Sequence, residues 1–186
     1  MARKRIAFSL DDSDVAYFRD IYRAAKDNTT SEDWPKIARG VRRLVKQVRE
    51  AKRVPKFVTE AIDALEDLMK MVEDEDYATP QNVVDRTIAA LAYFANPKDV
   101  IPDDVPLVGF LDDAIMIRFV EEDLKHELWG YRKFRNFREG SEQRHWTPVA
   151  KERMRERLTA KRKEIRGQIH DREAKERQSH GRRLGW

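Results

Sequence analysis

Five aspartates, Asp99, Asp103, Asp104, Asp112 and Asp113, fall within fifteen consecutive positions of this 186-residue chain. Carboxylate oxygens are the ligands that Mg²⁺ and Ca²⁺ prefer, so Asp99, Asp103, Asp112 and Asp113 form a candidate divalent-metal set. Their spacing fits no EF-hand loop, and a metal-dependent hydrolase would also want a base or nucleophile beside the ion. A structural reading competes with this one: Asp99 and Asp112 cap short helices, where a carboxylate opposes the positive end of the dipole, and the other acids face water. Asp103 and Asp104 have no evident structural task.

Downstream, His126 follows Glu122 by four positions and Asp123 by three, which puts all three on one helical face. A di-metal centre in a helical bundle needs further glutamates projecting inward from other helices, and the candidates Glu60 and Glu66 fall off the apolar stripes. The chain contains no glycine-rich phosphate loop, no Gly-x-Ser-x-Gly elbow and no His-Glu-x-x-His pair. It also has no cysteine, which excludes disulfides, thiolate metal sites and a thiol nucleophile. No catalytic residue is assigned. No cofactor is expected, a divalent metal at the aspartates being the alternative.

Arg153, Arg155, Arg157, Lys161, Arg162, Lys163 and Arg166, with Trp146 nearby, are of the type that tracks phosphates by displacing counterions. Glu152, Glu156 and Glu164 interrupt them at spacings that support a solvated helix through ion pairs. Three readings stay open for this tail: a solvated or self-docking helix, a nucleic-acid or ribosome contact, and a contact with acidic lipid or protein.

The charge distribution frames these choices. Arg138 to Trp186 holds 15 Lys and Arg against 8 Asp and Glu, whereas Val72 to Asp123 holds 13 acids against 3 bases. A net charge of +4 therefore hides an acidic centre and a basic end. The N-terminus lacks the apolar run of a secretory signal, and the most apolar stretch, Phe110 to Val120, is broken by Asp112, Asp113 and Arg118. A cytoplasmic protein without a transmembrane segment is expected.

Helices must position these groups. Arg5 to Leu10 alternate as a short extended segment would. Asp12 and Ser13 are the expected caps of a helix to about Lys26 whose apolar positions are Val15, Phe18, Tyr22 and Ala25. Trp34, Ile37, Ala38, Val41, Leu44, Val45 and Val48 carry the clearest apolar stripe, behind Ser31 as cap and Pro35 in the first turn. Pro55 opens a third helix with Phe57, Ala61, Ile62, Leu65, Leu68, Met69 and Val72 inward, ending in the acidic run Glu73 to Asp76. Thr79 is the expected cap of a fourth, from Pro80 to Asn96, with Val84, Ile88, Leu91, Ala92 and Ala95 inward. A fifth, from about Leu111 to Arg135, shows Ala114, Ile117, Val120, Leu124, Leu128 and Tyr131. Thr147 and Pro148 restart a helix whose stripe, Val149, Met154, Leu158, Ile165 and Ile169, is narrow and broken. The expected fold is mainly all-α: a compact bundle of four or five helices over residues 1–137, preceded by a short extended segment, and a projecting basic helical tail over 138–186.

Between the fourth and fifth helices runs NPKDVIPDDVPLVGFLDDA. Pro97, Pro102 and Pro106 each remove a backbone donor and fix φ, so this link is neither helix nor central strand, and Gly109 permits the turn into the next helix. The segment YFANPKDVIPDDVPLVGFLDD, within about Ala90 to Leu128, resembles the YkvA-like family of bacterial proteins, a domain of unknown function. Tyr93, Pro97, Asp99, Ile101, Pro102, Asp103, Pro106, Gly109, Phe110, Leu111, Asp112 and Asp113 match its pattern in order, and IAFSLDDSDVAYFR looks like the opening of longer soluble members. Many members carry membrane segments near the motif, from which this chain departs, and the resemblance brings no established catalytic residue. The expectation is a protein-interaction or regulatory module acting through Asn96 to Asp113, with Asp103, Asp104, Val105, Leu107 and Val108 contacting an unknown protein partner. Self-association, nucleic acid at the tail, metal-dependent hydrolysis and peripheral membrane contact are the alternatives.

Overall fold

The stripe from Trp34 to Val48 forms one wall of the core in the computed structural model, which describes residues 9–27, 29, 33–95, 110–142 and 148–183. Helix α2 spans Trp34–Glu50, with Pro35 in its first turn. Ile37, Ala38, Val41, Leu44 and Val48 are buried on its inner side, as their spacing predicts. The preceding helix, α1, spans Asp12–Asp27 and buries Phe18 and Tyr22. Its cap is Asp11 rather than Asp12 or Ser13. The Asp11 carboxylate accepts the Ser13 and Asp14 backbone N–H groups at 2.8 and 2.9 Å, and Asp14 accepts the Asp11 N–H in return at 3.1 Å. Residues 5–8 of the expected extended segment, and the expected cap Ser31, lie outside the described residues.

Helix α3 spans Lys56–Glu73 with Pro55 at its N-cap. Its core face is broader than the sequence stripe and includes Val58, Ala64 and Met71 as well as the expected Ala61, Ile62, Leu65, Leu68 and Met69. The acidic run then makes a tight turn. The Asp74 carboxylate accepts the Tyr77 N–H at 3.0 Å, Ala78 takes a left-handed φ of 45°, and Tyr77 is fully buried. Thr79, expected to cap the next helix, instead closes this one, since its hydroxyl donates to the Met71 carbonyl at 2.6 Å. Pro80 occupies the N-cap of α4, Gln81–Ala90. That helix is shorter than predicted and rotated. Val83 and Thr87 join Ile88, Ala90 and Leu91 inside, whereas Val84 is half-buried. The Thr87 hydroxyl turns back to the Val83 carbonyl at 2.8 Å, which satisfies a buried polar group locally. After Leu91 the chain tightens into a 3-10 turn, Ala92–Ala95, burying Tyr93 and Phe94.

Helix α5 spans Leu111–Glu142, beyond the predicted end and through Phe137. It packs most extensively against α3, then against the last helix, α6, Pro148–Arg183. All six expected inward residues of α5 are buried, and Met116 and Phe134 join them. The all-α bundle is as expected, and among the described residues there is no strand. The tail corrects one part of that expectation. It does not project, because Leu158, Ile165 and Ile169 are buried against α5. Each fully buried aliphatic side chain of this kind contributes about 1.5–3 kcal/mol, enough to fix a solvated helix along one seam. The seam is close at Gly130, where a Cβ would stand 2.5 Å from Ile169 Cδ1.

Candidate functional site

The chemistry-bearing residues separate into two groups. One is the junction between the 3-10 turn and α5. Asp99, Asp103, Asp104, Val105, Leu107 and Val108, with the structural Pro97, Pro102, Pro106 and Gly109, lie outside the described residues. Both flanks of that segment are described, and both are built into the core. On the incoming side Tyr93 and Phe94 are buried with their rings edge to face at 5.2 Å. Helix α2 approaches this turn so closely that a Cβ on Gly40 would lie 1.8 Å from the Phe94 carbonyl oxygen. On the outgoing side Asp112 and Asp113 occupy the first turn of α5 and are 2% and 4% exposed. Asp112 thus sits inside the helix rather than at its cap, in a position favoured by the dipole. Among the described residues no three His, Asp or Glu side chains are grouped to hold a metal ion. Glu60 and Glu66 point to solvent-facing cations instead, at Lys56, Arg118, Arg49 and Lys70.

The second group is a chain of ionic contacts that ties α5 to its neighbours. At one end, Asp123 accepts the Tyr22 hydroxyl at 2.8 Å and the Lys26 ammonium at 2.5 Å, joining α5 to α1. Burial works to raise the Asp123 carboxyl, but Lys26 and Tyr22 outweigh it and hold the group below its ordinary value. Burial and the facing Asp123 push the Tyr22 hydroxyl upward, so it serves as a donor and not as a base. His126 does not share a ligand set with Glu122 and Asp123. Its Nε2 donates to Glu176 of α6 at 2.5 Å, and Lys125 binds the same carboxylate. Lys125 and then His126 draw the Glu176 carboxyl down to about 2.

Further along, Glu127 is 4% exposed and accepts Arg166 Nη1 at 2.6 Å. The Arg166 guanidinium also lies over the Tyr77 ring, 4.6 Å from its centroid. Arg162 donates to the Asp76 carbonyl at 3.1 Å. At the far end Asp67, also buried, takes Arg132 Nε at 2.7 Å together with Arg135, while Asp74 takes Arg138. Burial would raise Asp74, yet Arg138, the Tyr77 N–H and the Tyr131 hydroxyl hold it low.

These contacts decide how much of the tail's positive charge faces outward. Of the cations read as phosphate contacts, Arg162 and Arg166 turn toward the body, and Lys161 pairs with Glu164 at 2.9 Å beside the Phe137 ring. Arg157 lies over the same ring at 5.5 Å. Arg153, Arg155 and Lys163 are exposed. The acids that matter here, Asp67 and Glu127, escape a reading by apolar stripe because they are interleaved within one. A signal exists in retrospect: Asp67 lies between Leu65 and Leu68, Glu127 adjoins Leu128, and Arg132, Arg135 and Arg138 recur every three residues on the facing helix.

The family described as a protein of unknown function, DUF1232, matches residues 86–119. That stretch runs from α4 through the 3-10 turn and the link into the first turns of α5. The chain is also similar to the uncharacterised membrane protein YkvA of Bacillus subtilis strain 168, with 40% identity over 47 residues. The match spans 25% of this chain and 44% of that protein, so less than half of the relative is represented. No solved structure matches the chain. Among the described residues no helix is long and apolar enough to cross a membrane. The segment around the 3-10 turn and the start of α5 thus carries the YkvA-like pattern read from the sequence, and over residues 86–119 the chain resembles the DUF1232 family.

Proposed function

We propose that this chain is a non-enzymatic, cytoplasmic helical module that captures a protein partner through Asn96 to Asp113. The observation that supports this reading is the fixing of both flanks of the segment. Gly40 against Phe94 locks the entry and buried Asp112 and Asp113 lock the exit. A segment held at both ends loses less conformational freedom on binding, which favours recognition. Asp112 and Asp113 are drawn inward, and in the sequence Asp103 and Asp104 directly precede Val105, Leu107 and Val108, the residues proposed to meet the partner. The Asp103→Asn/Asp104→Asn variant tests it in quantitative affinity capture, with helicity followed by circular dichroism. Loss of specific partners at unchanged helicity is expected; an unaltered set of captured proteins would overturn the reading.

Peripheral membrane contact is the second reading, favoured by the membrane setting stated for the YkvA relative. It requires cations free to meet anionic headgroups, and the inward turn of Arg162 and Arg166 weakens that supply. Flotation of the full chain with anionic and with neutral vesicles separates the two, since the interaction module stays unbound in both.

A further inference from the structure

Helix α6 is bound to the rest of the molecule in an unusual way for a helix of its length. Its packing is concentrated on α5, and over its described side chains the buried apolar ones are Leu158, Ile165 and Ile169. The remaining inward contacts are the half-buried Met154 and a set of polar or cation–π ones. Arg166 meets Glu127 and the Tyr77 ring, Glu176 meets Lys125 and His126, and Lys133 Nζ donates to Gln168 at 2.7 Å. Arg172 lies 4.5 Å from the centroid of the Trp129 ring. By contrast α3, a helix half as long, buries nine residues, which are apolar except for Asp67.

The charges are sorted by direction. The helix supplies the cations and α5 with the α3–α4 turn supplies buried Glu127 and the Asp76 carbonyl, while Glu176 reverses the pattern against Lys125 and His126. Such a set of opposed pairs fixes register along a seam, and it is weakened by salt where the partners are partly exposed. Side-chain exposure is 22% for Arg166, 31% for Glu176 and 37% for Lys125, so ions reach all three.

We propose that α6 is a self-docked clamp held on α5 by a narrow apolar seam and set in register by ionic contacts, able to detach while the α1–α5 bundle stays folded. Detachment would uncover Glu127, Trp129, Gly130 and Phe137, an aromatic strip with one buried carboxylate, flanked by Lys125, His126 and Lys133, whose mixed charge complements that of α6 itself. In the docked state α6 is the intramolecular occupant of that strip. The proposal is independent of the partner assigned to Asn96 to Asp113.

Hydrogen exchange read by mass spectrometry on the full chain tests it. Raising salt from about 0.05 M to about 0.5 M shortens the screening length roughly threefold, and exchange across residues 158–176 should accelerate about tenfold while α2 and α3 stay unchanged. Arg166→Gln leaves the Glu127 charge buried without its guanidinium, so α6 should exchange fast already at low salt. The double variant Arg166→Gln/Glu127→Gln removes both charges and should restore slow exchange, now less sensitive to salt. The proposal is overturned if α6 exchange ignores salt, if α6 and α3 exchange in step, or if the double variant remains as fast as the single one. An Arg166→Gln chain that unfolds throughout would place α6 within the cooperative core and overturn it equally.

Discussion

Arg138 holds Asp74 with both arms of its guanidinium: Nη1 lies 2.8 Å from Oδ1 and Nη2 lies 2.8 Å from Oδ2. This paired geometry closes the turn after α3 onto the far part of α5, and the Tyr131 hydroxyl adds a third contact to Oδ2 at 3.3 Å. The carboxylate side chain is 8% exposed and the guanidinium 19%, so solvent screens the pair little.

Removing one partner therefore leaves a charge with no equivalent. Arg138→Met should destabilise the chain by about 3 kcal/mol, measured by urea denaturation, because the Asp74 charge stays buried. Arg138→Lys should also be costly, since an ammonium cannot reproduce the two parallel bonds. A Lys variant as stable as wild type would mean that charge alone, not the fork geometry, secures the turn.

The same carboxylates set the response to acid. Asp74, Asp123 and Glu176 are each held below their ordinary values, Glu176 at about 2. A carboxyl that is more acidic in the folded chain than in the unfolded one stabilises the fold above its unfolded value, and that contribution disappears as pH falls through the folded value. Stability from these groups should be constant from neutral pH down to about 5 and fall steeply below about 4. Thermal unfolding across that range checks the sign. In Asp74→Asn the acid-sensitive part should shrink, because one of the titrating groups is gone. A wild-type midpoint that rises on acidification would contradict the assignment of these ion pairs.

Much of the fold is legible because apolar spacing and proline dictate it locally. The stripe from Ile37 to Val48 and the six inward residues of α5 lie where a 3.6-residue period puts them. The errors arise where a contact from elsewhere in the chain decides. Thr79 has the right type and place for an N-cap, but the Met71 carbonyl eight residues back is the acceptor it reaches. The tail reads as solvated because its apolar residues are sparse, and the face it docks on, with Glu127 opposite Arg166, lies outside its own sequence. Of the candidate site, the family pattern over residues 86–119 is legible as a motif of spaced prolines and acids. The burial of Asp112 and Asp113 is not, since periodicity reports which residues share a face and not how deeply a helix start is covered.

Glycine positions separate close packing from helix propensity, and they give a test of the junction that carries the family pattern. A methyl group on Gly40 would meet the Phe94 carbonyl oxygen at 1.8 Å and its carbon at 2.7 Å. Both atoms are backbone, so relief requires α2 and the 3-10 turn to separate, and Gly40→Ala should destabilise by about 3 kcal/mol or more. Gly140, in the last turns of α5, has no neighbour within 4 Å of the added carbon. There the substitution trades a flexible residue for a strong helix former, so Gly140→Ala should stabilise by about 0.5–1 kcal/mol. Chemical denaturation of the two variants beside wild type measures both signs. If Gly40→Ala were as stable as Gly140→Ala, α2 would not grip the turn, and the entry to the Asn96 to Asp113 segment would not be fixed from that side.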